Sequence, residues 1–147
     1  MYPKKLNSLV EKLSVLQNPG DRVDLLISYA DKFEEVPVEI AKRPFPKENV
    51  VPFCESGAYV WTTQHPDGTI KLYFAVENPQ GISAMALAAI LDKTLSGETT
   101  ENILEIDEHI VEEIFGQALS MGKNMGLTGM LQKIKRDARK YLPRTSS

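Results

Sequence analysis

Ala58-Tyr59-Val60-Trp61-Thr62-Thr63-Gln64-His65-Pro66-Asp67-Gly68-Thr69-Ile70-Lys71-Leu72-Tyr73-Phe74-Ala75-Val76 decides the fold class of this chain. Its first part is dense in aromatic and β-branched residues. Its second part alternates Ile70, Leu72, Phe74 and Val76 with Lys71, Tyr73 and Ala75, a period of two that puts one apolar row on one face of a strand. Between them, His65-Pro66-Asp67-Gly68 supplies proline and Asp-Gly turn chemistry. The stretch therefore predicts a β-hairpin over residues 58–64 and 69–76.

Outward from the hairpin the pattern becomes helical. Upstream, Leu6, Leu9, Val10, Leu13 and Leu16 recur at helical spacing, and Asn18-Pro19-Gly20 ends that helix. Asp21 is expected to cap a second helix, with Val23, Leu26, Ile27 and Ala30 facing inward. From Glu35 to Pro52, four prolines (Pro37, Pro44, Pro46 and Pro52) predict an ordered surface loop anchored by Val36, Val38, Ile40 and Phe45. Downstream, Asn78-Pro79 reads as a cap with proline at the first helical position. The segment from Ile82 to Leu95 is apolar on nearly every side and should form the central buried helix, ended by Gly97. Thr99 to Ile106 reads as a connection, with Ile103 and Ile106 inward. Asp107 reads as the cap of a helix from Glu108 to about Leu119. A last helix is expected from about Leu127 to Tyr141, apolar at Leu127, Met130, Leu131 and Ile134. Its basic positions are Lys133, Lys135, Arg136, Arg139 and Lys140, and Pro143 stops it. Helices around one small antiparallel sheet make an α+β fold, expected as a single domain over residues 1–147.

Composition narrows the function. Apolar residues at 42% and charged residues at 25% are ordinary for a soluble domain, and a net charge of -3 argues against a general nucleic-acid or anionic-membrane binder. The longest apolar run, Met85 to Leu91, is too short to span a bilayer, and no signal peptide is visible, so the expected location is cytoplasmic. One cysteine excludes an internal disulfide and fits a reducing compartment. One cysteine with two distant histidines, His65 and His109, excludes a structural zinc site and cluster ligation, so no metal or cofactor is expected. The acidic stretch from Glu98 to Glu113 holds no lysine or arginine and reads as a solvated face.

The lone cysteine lies in Asn49-Val50-Val51-Pro52-Phe53-Cys54-Glu55-Ser56-Gly57-Ala58-Tyr59. Two readings stay open for Cys54: a small buried hydrophobe, or a reactive thiol. Its turn-prone setting favours reactivity. Ser56 and Gly57 allow backbone amides to turn toward the sulfur, and Pro52 and Phe53 can shield it; Glu55 opposes the thiolate. A thiol hydrolase would need His65 or His109 beside it as a base. A carrier of sulfane sulfur needs one exposable thiol and no second thiol to discharge the persulfide as a disulfide. Tyr59 and Trp61 read as core or supporting residues.

Asn49-x-Val51-x-x-Cys54-x-Ser56-x-Ala58-Tyr59 resembles the signature of the SufE-type cysteine desulfuration proteins, usually Val-x-Gly-Cys-x-Ser. The order of the hairpin, the apolar helix, Leu95-Ser96-Gly97-Glu98-Thr99 and Asn124-Met125-Gly126-Leu127 is similar over about residues 7–142. The resemblance implies a compact SufE/IscU-like α+β fold. It implies a protein that is not a free-standing enzyme and takes persulfide sulfur onto Cys54 from a pyridoxal-phosphate cysteine desulfurase. That protein stimulates the desulfurase and passes the sulfur to an iron–sulfur scaffold complex. It implies supporting roles for Ser56, Gly57 and Lys123 and leaves monomer or homodimer open. Two departures stand out: Phe53 replaces the usual glycine, and Lys123 the usual arginine, losing the planar fork. They motivate an alternative in which the chain is a desulfurase adaptor or regulator that no longer transfers sulfur.

Overall fold

The protein is described by a computed structural model over residues 2–116 and 119–143. The elements run α1 (Lys4–Ser14), α2 (Pro19–Ala30), β1 (Ala58–Gln64), β2 (Ile70–Val76), α3 (Ile82–Leu95), α4 (Thr100–Leu104), α5 (Ile110–Phe115) and α6 (Met121–Ala138). The arrangement is α+β. The two strands pair antiparallel with Ala58 opposite Val76, Trp61 opposite Tyr73 and Gln64 opposite Ile70.

The register sorts the hairpin into two faces. Ala58, Val60, Ile70, Leu72, Phe74 and Val76 join the main core with α1, α3 and α6. α3 is its axis, with Leu87, Ala88, Ile90, Leu91 and Leu95 fully buried. The opposite face carries Tyr59, Trp61, Tyr73 and Ala75, and the proline-rich loop covers it through Val36 and Phe45. The Phe45 ring lies 5.1 Å from that of Tyr59 and 5.2 Å from that of Trp61, and the Val36 N–H donates to the Phe74 carbonyl at 2.8 Å. Val38 and Ile40, expected as further anchors, face solvent. The loop bonds β2 at Val36, covers the face through Phe45 and reaches the edge of β1 at Val50, and Val38 and Ile40 lie on its outer side.

Other departures have local causes. Asn18, not Asp21, caps α2: its Oδ1 accepts from the Gly20 N–H at 2.8 Å, and Pro19 opens the helix. Of the residues expected to face inward from α2, Val23 and Ile27 are exposed, because α2 packs on α3 through Leu25, Leu26, Tyr29 and Ala30. Asn78-Pro79 forms a turn rather than a helix start, closed by Gly81 N–H to Asn78 O at 2.9 Å; α3 begins at Ile82. The connection from Thr99 contains the short helix α4, capped by the Thr99 hydroxyl. Asp107 accepts from His109 N–H at 2.7 Å one turn before α5, which ends at Phe115; the expected continuation toward Leu119 falls partly outside the described residues.

The largest difference is α6. It starts at Met121, six residues before the expected Leu127, with the Ser120 hydroxyl accepting from the Lys123 N–H at 3.2 Å. Gly122, Gly126 and Gly129 lower intrinsic helix propensity there. Packing on β1 and on the cysteine loop overrides propensity. Lys133, expected on the basic face, is 6% exposed and holds Asp137 at 3.0 Å. No helix among the described residues is long and apolar enough to cross a membrane, and no group of three or more metal-ligating side chains occurs among them.

Candidate functional site

The chain reaches Cys54 along the edge of β1. Val50 bridges Tyr59, and the Val51 N–H donates to the Ala58 carbonyl at 2.8 Å. Residues 52–57 are thus the tip of a second, tight hairpin beside β1. Two further bonds tie the tip to the end of β2: Glu77 N–H to Gly57 O and Asn78 N–H to Ser56 O, both 3.0 Å. The Gly57 N–H donates to the Cys54 carbonyl at 3.1 Å, closing a turn in which Gly57 has φ 65°. That amide is therefore committed and does not turn toward the sulfur. Gly57 shapes the loop but does not line the cleft.

α6 supports the tip from below. A Cβ on Gly126 would lie 3.2 Å from Cys54 Cα, and one on Gly129 would lie 3.0 Å from the Pro52 carbonyl oxygen. Both neighbours are backbone, so the helix can lie this close only without side chains. On the other side, a Cβ on Gly81 would come within 2.8 Å of Ser56 Cβ and Oγ. Ser56 is thus wedged against the entry to α3.

The half-buried Cys54 opens into a cleft of about 340 Å³, lined by Glu55 and Ser56, by the turn Asn78–Gly81, by the first turn of α3 and by Gly122, Lys123, Gly126 and Leu127 of α6. Two helices therefore start at this cleft. α3 has no side-chain cap; the Ile82 N–H donates to the Gln80 carbonyl at 2.9 Å, which leaves the Ser83 and Ala84 N–H groups to solvent or a ligand. Helix N-termini carry partial positive charge, and Lys123 adds a full one. A cation in the first turn of a helix is disfavoured by the macrodipole, and Lys123 holds this place in α6. The arrangement can stabilise a negatively charged sulfur or its anionic donor, against the opposing charge of Glu55.

Phe53 does not shield the thiol. It is 76% exposed, and its φ of 61° places it in the left-handed region. That conformation accounts for the usual glycine of the resemblance at this position. Ile82, which lines the cleft, is exposed, and so are Phe53, Met121 and Met125, each next in the chain to a cleft-lining residue.

Of the residues singled out from sequence, Cys54, Ser56 and Lys123 share the cleft, and Gly122 and Gly126 adjoin them. Neither His65 nor His109 lines it, so the thiol has no histidine base there. Sequence reasoning missed the Asn78–Ser83 wall, because Asn-Pro was read as a cap rather than as a turn. It missed the exposure of Ile82, Met121 and Met125 because exposed apolar residues look like core in one dimension.

Comparison with known proteins agrees with this fold. The family model for SufE, Fe-S metabolism associated domain, matches residues 7–138. A solution structure of a hypothetical protein from Thermus thermophilus is similar, with a TM-score of 0.74 and 26% identity over 96% of this chain and 98% of that one. No curated protein matches.

Proposed function

The chain belongs to the SufE family of Fe–S metabolism, and from that premise we propose that it is a persulfide carrier and activator of a pyridoxal-phosphate-dependent cysteine desulfurase. Cys54 attacks, as thiolate, the terminal sulfur of a persulfide on the desulfurase. A bond forms between Cys54 Sγ and that sulfur. The bond from the sulfur to the donor cysteine breaks, and its electron pair leaves on the donor thiolate. Proton count and oxidation level are conserved, so no cofactor of this chain is required. The persulfide then passes to an iron–sulfur scaffold complex in the cytoplasm. The chain acts as one domain.

The observation that carries the reading is the solitary thiol in a cleft where α3 and α6 both begin. Two helix N-termini and Lys123 favour the anionic persulfide without a histidine. Ser56 and Gly57 hold the loop in place through the wedge at Gly81 and the turn at Cys54. The exposed Phe53, Ile82, Met121 and Met125, which line the cleft or adjoin its lining residues in the chain, supply apolar area for docking.

The test is to incubate the protein with a desulfurase and cysteine and to measure intact mass. One added sulfur on Cys54, lost in Cys54→Ser together with the stimulation of turnover, is expected. No adduct would sink the proposal. Binding with equal stimulation by Cys54→Ser would turn the reading into a non-transferring adaptor.

A further inference from the structure

We propose that a lysine-rimmed groove around Tyr29, remote from the thiol, docks an acidic amphipathic segment of a protein partner. Two adjoining depressions, of about 400 and 510 Å³, share Tyr29 and Lys93. Their rim carries Lys4, Lys5, Lys12, Lys32, Lys71 and Lys93, against only Glu34 and Asp92. Six cations and two anions leave a local excess of four positive charges in a chain of net charge -3. Asp92 is engaged by Lys71 at 2.7 Å and by the Ser96 hydroxyl at 2.7 Å, so the other five lysines face only Glu34. Among the described residues, none of the other five lysines has an ion-pair partner.

Folding does not account for this clustering. Lys4 and Lys5 occupy the first turn of α1, which has no side-chain cap and where the macrodipole disfavours cations. Lys32, in the turn after α2, and Lys93 of α3 lie over one ring, 5.5 and 5.8 Å from the Tyr29 centroid. Like charges drawn together without a carboxylate cost stability, and a ligand that neutralises them recovers it. The floor is apolar, formed by Leu9, Phe33, Phe74, Ala88, Ala89 and the Tyr29 ring. Apolar floor and cationic rim together fit a helix or strand whose apolar side faces down and whose carboxylates flank it. Glu34 on the rim and the acidic balance of the chain disfavour a nucleic acid or anionic bilayer as occupant.

The groove lies apart from the cleft. α3 lines the cleft with Ile82 to Ala84 and the groove with Ala88 to Lys93, so the two linings begin about 6 Å apart along the helix and their midpoints lie about 11 Å apart. The groove can thus be filled while Cys54 is docked elsewhere.

The probe is a fluorescein-labelled 15-residue peptide of glutamate and leucine, leucines at helical spacing, titrated with the full chain by fluorescence anisotropy. Saturable binding that weakens at least tenfold in Lys32→Glu/Lys93→Glu, and again from 50 to 200 mM salt, is expected. Should that variant not unfold cooperatively, Lys4→Glu/Lys12→Glu on the exposed side of α1 serves instead. Binding kept in the variants, equal binding of a peptide with scrambled leucines, or no saturation would overturn the proposal. So would tighter competition by an RNA oligonucleotide or by phosphatidylserine vesicles, or a wild-type dimer abolished by the lysine reversals. No desulfurase is present, so failure here leaves the sulfur-transfer reading untouched.

Discussion

Replacing Gly126 by alanine tests how the thiol loop is held. In an exposed helix this change gains about 1 kcal/mol of propensity. Here the new methyl would stand 3.2 Å from Cys54 Cα, 3.3 Å from the Phe53 carbonyl oxygen and 3.5 Å from Cys54 Cβ. The first two are backbone atoms of a loop fixed by four hydrogen bonds to its neighbours and within itself: Val51 to Ala58, Gly57 to Cys54, Glu77 to Gly57 and Asn78 to Ser56. The loop cannot rotate away as a side chain would, so an overpacking cost of about 1–3 kcal/mol outweighs the propensity gain. Gly122→Ala on the same helix is the control. Its methyl would meet only Glu55 Oε1 at 3.8 Å, an ordinary contact with a flexible tip. Gly122→Ala should leave stability unchanged or slightly raised, and Gly126→Ala should lower it by about 1 kcal/mol net, or about 3 °C in midpoint for a chain of this size. Thermal unfolding followed by circular dichroism reads both. If Gly126→Ala stabilises as much as Gly122→Ala, α6 does not press on the Cys54 loop and the site geometry derived above is wrong.

Phe53→Gly should be neutral or stabilising by up to about 1 kcal/mol in urea unfolding, although it deletes a large side chain. Phe53 is exposed and left-handed, so a clear destabilisation would mean its ring is packed. Asp137→Ala should cost about 3–5 kcal/mol, because it strands the buried Lys133 ammonium. The double change with Lys133→Met should recover most of that loss, and equal instability of single and double variants would contradict the pairing. The Tyr2 hydroxyl is pushed up to about 12 by burial and by its 2.9 Å bond to Glu113. The folded state thus keeps a proton that the unfolded chain releases near the ordinary value of 10.0. The contribution is complete below pH 10 and fades as pH rises toward 12, so Tyr2→Phe should have a shallower loss of stability over that window. Equal slopes in wild type and variant would refute the contact.

Much of the architecture was legible because it rests on local periodicity. The hairpin, α1 and α3 are written in residue spacing alone, and α3 falls at its expected bounds. The misreadings arose where two local signals compete. Asn18 and Asp21 are both good caps, and only the bond to Gly20 decides between them. Asn78-Pro79 suits a cap or a turn, and the pairing of Asn78 with Ser56 decides for the turn. Three glycines hid the start of α6, because a weak helix former becomes favourable only where a neighbouring backbone needs its missing side chain. The same logic hid Lys133, whose helical position says nothing about what covers it.

By itself, the sequence determined the α+β class, the family signature around Cys54 and the absence of any second thiol. These are matters of composition, spacing and covalent identity, which need no neighbours in space. Tertiary structure alone decided what surrounds the thiol. It brought the starts of α3 and α6, distant in the chain, to one cleft, turned Phe53 outward to solvent and committed the Gly57 amide inside its own turn. Electrostatic potential and steric approach depend on distances between remote residues, and those are set only when the core closes around α3.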